Sequence, residues 1–124
     1  MTEGEQLARE VADDWGLWSV SLNRGVLEEA LENREAAREY YRESLALARK
    51  MGASTATALS LVNLGEVELR LGQGEVAAAL LEQACDLSRA VHYQQAEMYA
   101  AFTLGELSFI DWDYTETRRR IQSG

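Results

Sequence analysis

A chain of 124 residues, 47% hydrophobic and 27% charged, can bury a real core in one compact domain and does not resemble a disordered segment. A net charge of −9, with Lys50 the only lysine, excludes a general binder of phosphate backbones, which needs clustered cations. The lone cysteine, Cys85, excludes an intramolecular disulfide framework and a thiolate zinc cluster.

There is no proline, and Ala, Leu, Glu and Arg dominate, which are strong helix formers. β-Branched alternation and Asn-Gly turns are missing, so the expected class is all-α. Met1 to Glu10 holds three glutamates and no apolar run, unlike a signal peptide. No stretch approaches the ~18 apolar residues of a membrane span. The expected setting is the cytoplasm, with neither membrane nor nucleic acid as partner.

In chain order, apolar spacing at i, i+3, i+4 and i+7 predicts helices near 5–12, 16–31, 35–51, 55–71, 75–91 and 95–110, then a short one near 114–122. Breaks fall at Glu32-Asn33-Arg34, Gly52-Ala53-Ser54, Gly72-Gln73-Gly74 and Trp112-Asp113-Tyr114. Ser54 or Thr55 is placed to cap the helix that follows. Short connections make neighbouring helices antiparallel.

Shifted by forty residues, the chain matches itself without a gap. Gly25, Gly65 and Gly105 coincide, as do Leu7, Leu47 and Leu87, and Arg9, Arg49 and Arg89. Asn23 falls on Asn63, Glu28 on Glu68, Leu31 on Leu71 and Ala37 on Ala77. A mid-helix glycine costs about 1 kcal/mol relative to alanine. Three in one phase therefore mark places where two helices approach too closely for a Cβ atom. Ala58, Leu61, Leu64, Val67, Leu71, Ala77, Leu80, Leu81, Ala84 and Leu87 form the expected core around the second of them.

The stretch Leu61-x-x-Leu64-Gly65, followed by Ala77, Leu81 and Ala84, resembles the tetratricopeptide repeat, whose motif runs W-x2-L-G-x2-Y and then A-x3-F. Ala37, Tyr41 and Ser44 repeat its second half. The period of forty exceeds the family's usual ~34 and the closing proline is absent, as in the variants of kinesin light chains and bacterial maltose-activator-like or signal-transducing ATPase regulators. Arg24 replaces an expected buried leucine and Glu68 an expected tyrosine. HEAT and armadillo repeats share a similar period, but the Leu-Gly…Ala signature favours the tetratricopeptide assignment.

The resemblance implies a right-handed solenoid of antiparallel helix pairs, about three repeats long, filling residues 1–124 as one domain. Residues 5–12 and 114–122 match only parts of a repeat, so the expectation is a fragment of a longer array. It further implies a protein- or peptide-binding scaffold, not an enzyme, with a concave groove lined by the first helix of each repeat. Asn23, Asn63 and Thr103 stand two residues before the motif glycines, where an amide can pair with a ligand backbone; the alternative is that they only satisfy contacts between helices. Val26, Val62, Glu66, Arg70, Phe102 and Glu106 are their expected neighbours in the groove.

Arg24 and Arg70 are the expected groove cations, and Glu29, Glu66 and Glu106 its anions. Too few cations converge for a carboxylate clamp, so a peptide with apolar anchors and some basic character is the better match to a −9 surface. Tyr99, Phe102, Phe109, Ile110 and Trp112 crowd the third repeat, and an uncovered remainder would suit a homodimer. An oligomerisation or sensor module of a bacterial signalling or transcription regulator is the alternative function.

No residue set makes a persuasive catalytic, cofactor or metal site. Cys85 and His92 lie two helical turns apart with no third group to orient them. Asp13-Asp14 and Asp111-x-Asp113 lack the glycine-centred acidic loop of a calcium site. Gly72-Gln73-Gly74 is a turn without the lysine of a phosphate cradle. Arg118-Arg119-Arg120 reads as helix-end charge facing the macrodipole.

Overall fold

A computed structural model describes residues 2–123, with side chains described for residues 2–108 and for Arg119. Five helices follow one another: α1 (Glu3–Ala30), α2 (Arg34–Met51), α3 (Ser54–Arg70), α4 (Gly74–Ala90) and α5 (Gln94–Ser123). The described residues contain no strand. The Thr2 hydroxyl caps α1 by accepting the Glu5 N–H at 3.2 Å, and Glu3 and Glu5 suit the positive end of the helix dipole.

The four turns share one construction. Glu32, Gly52, Gly72 and His92 take left-handed φ values of 63°, 63°, 81° and 58°. The next residue then donates its N–H to a carbonyl five positions back: Asn33 to Glu28 at 2.8 Å, Ala53 to Ala48 at 3.1 Å, Gln73 to Glu68 at 2.9 Å, Tyr93 to Ser88 at 2.8 Å. This closes the last carbonyls of each helix. Glycine takes the left-handed conformation freely at 52 and 72, whereas Glu32 and His92 adopt it at a cost of about 1 kcal/mol each.

Two expected breaks do not occur. The helix anticipated at 5–12 runs straight into the next as α1, and the one anticipated at 95–110 runs on through Trp112-Asp113-Tyr114 as α5. The forty-residue phase puts Ala12 and Trp112 where the internal turns hold their left-handed residue. Alanine favours the helix outright, and a bulky tryptophan is poorly suited to the left-handed region, so continued helix wins at both places. Ser54 does not cap α3 either. It is the first helical residue, after Ala53 in extended conformation, and no side chain closes that terminus.

α1 packs against α2 and α3 against α4 as hairpins; α2 then packs on α3, and α4 on α5, with α3 also touching α5. Leu61, Leu64, Val67, Ala77, Leu81 and Ala84 are buried as expected, while Leu71, Leu80 and Leu87 are half-buried around them. A Cβ added to Gly25 would stand 2.4 Å from the Tyr41 ring, and one on Gly65 2.8 Å from Leu81 Cγ. Those two glycines are the close crossings read from the repeat. Gly105 is not, since no atom of the described residues lies within 4 Å of a Cβ there. α5 continues where a returning helix would have covered it.

The residues that set this chain apart from the motif have structural counterparts. Glu68 is buried and receives both Nε and Nη2 of Arg38, the latter at 3.0 Å, so a bidentate ion pair joins α2 to α3 in place of a tyrosine ring. Arg24 is exposed, with its guanidinium 5.5 Å from the centre of the Tyr40 ring, and occupies no core position. The Trp18 indole N–H donates to Ser60 Oγ at 2.9 Å, and Ser44 donates to the Tyr41 carbonyl at 2.8 Å, so these half-buried and buried polar groups are partnered.

Candidate functional site

α1, α3 and α5, the first helices of successive repeats, present one shared face. Two tyrosine hydroxyls fix two carboxylates on it. Tyr41, reaching across from α2, donates to Glu29 Oε2 at 2.8 Å, and Tyr99 on α5 donates to Glu66 Oε2 at 2.6 Å. Arg70 adds Nη2 to Glu66 Oε1 at 3.1 Å. Glu29 Oε1 is buried with no hydrogen-bond partner.

Burial lifts the Glu29 carboxyl above its ordinary range. The Tyr41 hydroxyl opposes that shift, the nearby Glu66 charge reinforces it, and Arg70 and Arg34 only partly offset it. Both tyrosines are pushed far up, first by burial and then by the carboxylate each one serves. Their hydroxyls therefore stay protonated donors at any physiological pH.

Two hollows of about 320 Å³ each flank the Tyr99–Glu66 bond. One is bordered by Val26, Glu29, Ala30, Glu32, Arg34, Glu66 and Arg70. The other is bordered by Leu59, Val62, Asn63, Tyr93, Gln95, Ala96 and Tyr99. Charge gathers in the first and apolar surface in the second.

The residues singled out from sequence fall unevenly on this surface. Val26, Glu66 and Arg70 border the first hollow, and Val62 and Asn63 the second. Asn63 donates Nδ2 to the Leu59 carbonyl of its own helix at 3.1 Å, which aims its carboxamide oxygen away from that carbonyl. Asn23 is exposed and borders neither hollow, as are Phe102, at 67% exposure, and Glu106. Thr103 is buried, and its hydroxyl donates to the Tyr99 carbonyl at 2.9 Å, so it offers a ligand nothing.

The three positions before the motif glycines thus do not form a uniform polar ladder. Sequence reading missed the two tyrosine hydroxyls. Tyr41 carried a signal, because the motif asks for phenylalanine there and a hydroxyl in its place needs a partner.

Groups weighed for chemistry lie apart. His92 is exposed in the turn after α4, and Cys85 is buried within α4, where burial raises its thiol pKa. Asp14 accepts Lys50 Nζ at 3.3 Å. Phe109, Ile110, Asp111, Trp112, Asp113, Arg118 and Arg120 lie outside the residues whose side chains are described. Among the described residues no three His, Cys, Asp or Glu groups gather as a metal site, and no helix is long and apolar enough to cross a membrane.

Stacked helix hairpins with a shared inner face define a helical-repeat scaffold. The profile of the tetratricopeptide repeat matches residues 18–90, from the middle of α1 to the end of α4, and the chain belongs to that family. The family is a non-catalytic repeat scaffold whose members generally bind proteins or peptides. None of the curated proteins matches the chain.

Proposed function

We propose that this chain is a non-enzymatic scaffold that holds an extended peptide along the face shared by α1, α3 and α5, and that the peptide combines apolar anchors with a basic side chain. The observation that carries this reading is the pair of carboxylates, Glu29 and Glu66, held by Tyr41 and Tyr99 at the charged hollow beside the apolar one. A lysine or arginine entering there finds two carboxylates already oriented by tyrosine hydroxyls. A chain of net charge −9 also steers cationic peptides toward itself. Work in the cytoplasm is part of the same proposal.

The test is selection from a random peptide library displayed against the purified chain. Enriched peptides are expected to carry Lys or Arg next to apolar residues. Glu29→Gln combined with Glu66→Gln should weaken them by ten-fold or more, while Asn23→Ala, at a residue bordering neither hollow, should change little. Enrichment of acidic peptides, or indifference to the double substitution, would remove the groove reading. The open face of α5 around Gly105 favours a second reading, an oligomerisation module.

A further inference from the structure

Each covered glycine is covered by the residue sixteen positions later: Tyr41 over Gly25, and Leu81 over Gly65. Sixteen beyond Gly105 stands Ile121. Because α5 is one helix from Gln94 to Ser123, these two positions lie along a single axis, about 24 Å apart at 1.5 Å per residue. The neighbours of Gly105 one turn away share its exposed condition. Ala101, Gly105 and Ser108 are exposed, whereas their α3 counterparts Leu61, Gly65 and Glu68 are buried.

We propose that this face is covered by α5 of a second copy of the chain, lying antiparallel so that Gly105 of each copy meets Ile121 of the other. The pairing is self-complementary. If position 105 meets 121 across the interface, then 121 meets 105, and the two helices cross about residue 113 on a two-fold axis. The element exchanged is the one that would otherwise return within a single chain, which is the definition of a domain swap. Its hinge is position 112, where tryptophan stands in phase with Glu32 and Gly72, the left-handed residues that turn the first two hairpins.

Charge supports the orientation. Arg118-Arg119-Arg120 is the one dense basic run in a chain of net charge −9, and the antiparallel register sets position 120 level with Glu106 of the other copy. The proposal does not depend on the peptide groove, whose carboxylates lie on α1 and α3.

Sedimentation of the full chain over a range of concentrations tests it. The expected species has twice the 13.9 kDa chain mass. Gly105→Leu should raise the dimer dissociation constant by about 100-fold or more, because a side chain would then stand where residue 121 of the other copy must approach. On an uncovered helix the same change fills open space and relieves a helix-weakening glycine, so the mass would stay as it was and the thermal midpoint would not fall.

A second arm uses chains carrying Gly105→Cys or Ile121→Cys, each with Cys85→Ala, mixed by unfolding and refolding and then oxidised. Disulfide-linked pairs should form from the mixture and not from either chain alone. A wild-type monomer at every concentration, a dimer indifferent to Gly105→Leu, or an oxidised mixture that yields no linked pair would each overturn the proposal.

Discussion

The junction between α2 and α3 and the junction between α4 and α5 occupy equivalent places in successive repeats, but they are filled differently. In the first, Arg38 spans to the buried Glu68 and takes up the space with a bidentate ion pair. In the second, the in-phase residues are Ala78 and Ser108, and a hollow of about 370 Å³ remains, bordered also by Gly74, Glu75 and Leu107. Backbone path is thus set by the glycines, the turns and the leucines that recur at forty residues. The filling of each junction is free to vary, and with it the strength of each neighbour interface, which in a repeat array is the unit of stability.

The largest expected effect comes from breaking the filled junction. Glu68→Ala leaves Arg38 beside a cavity with no counter-charge and should lower unfolding free energy by about 3 kcal/mol, the low end for a severed buried pair because Arg38 keeps some exposure. Arg38→Ala with Glu68→Ser copies the second junction into the first. Urea unfolding should show that this double variant loses clearly less than the two single changes summed. Simple additivity would mean that the pair does not act as a unit.

Next in size is the contrast between covered and bare glycines. Gly25→Ala and Gly65→Ala each force a Cβ into a buried neighbour and should cost about 1–3 kcal/mol. Gly16→Ala, mid-way along α1 with nothing within 4 Å, should instead stabilise by about 0.5–1 kcal/mol. Thermal midpoints moving in opposite directions are the readout.

The smallest effect separates a carboxylate that has a guanidinium from one that has only a tyrosine hydroxyl. Native Glu29 holds its proton more tightly than the unfolded chain does. Its contribution to stability is therefore complete below the ordinary carboxyl value of 4.5 and is lost as pH rises through the raised one. Glu29→Gln should flatten that part of the stability–pH curve and leave the rest unchanged.

Much of the fold was legible because its causes are local or periodic. The glycine phase located the Gly25 and Gly65 crossings, and the short polar breaks located the turns at 32–34, 52–54 and 72–74. The continuity of α1 and α5 was not legible from periodicity alone. Apolar spacing on either side of Ala12 and Trp112 is the same whether or not the chain turns, and the outcome rests on one backbone torsion at each place.

The Arg38–Glu68 pair escaped because its partners lie thirty residues apart on different repeats, so no local spacing announces it. That Glu29 and Glu66 share one face was readable once the family resemblance was added to helix phase, and both border the charged hollow. The tyrosines that orient them come from α2 and α5, and only the packed structure brings them there.

The left-handed residues at 32, 52, 72 and 92 stand twenty apart, every one. Each interval is a fixed count of helical steps, so the array is intolerant of changes in length inside a helix. One residue inserted in α3 just after Gly65 would rotate everything after it by about 100° and carry Leu81 away from Gly65. The same residue inserted between Gly72 and Gln73 would lengthen a surface turn and leave both helices in phase. Insertions and deletions in related chains should therefore collect at these four positions, where a drifting sequence can change length without losing its register.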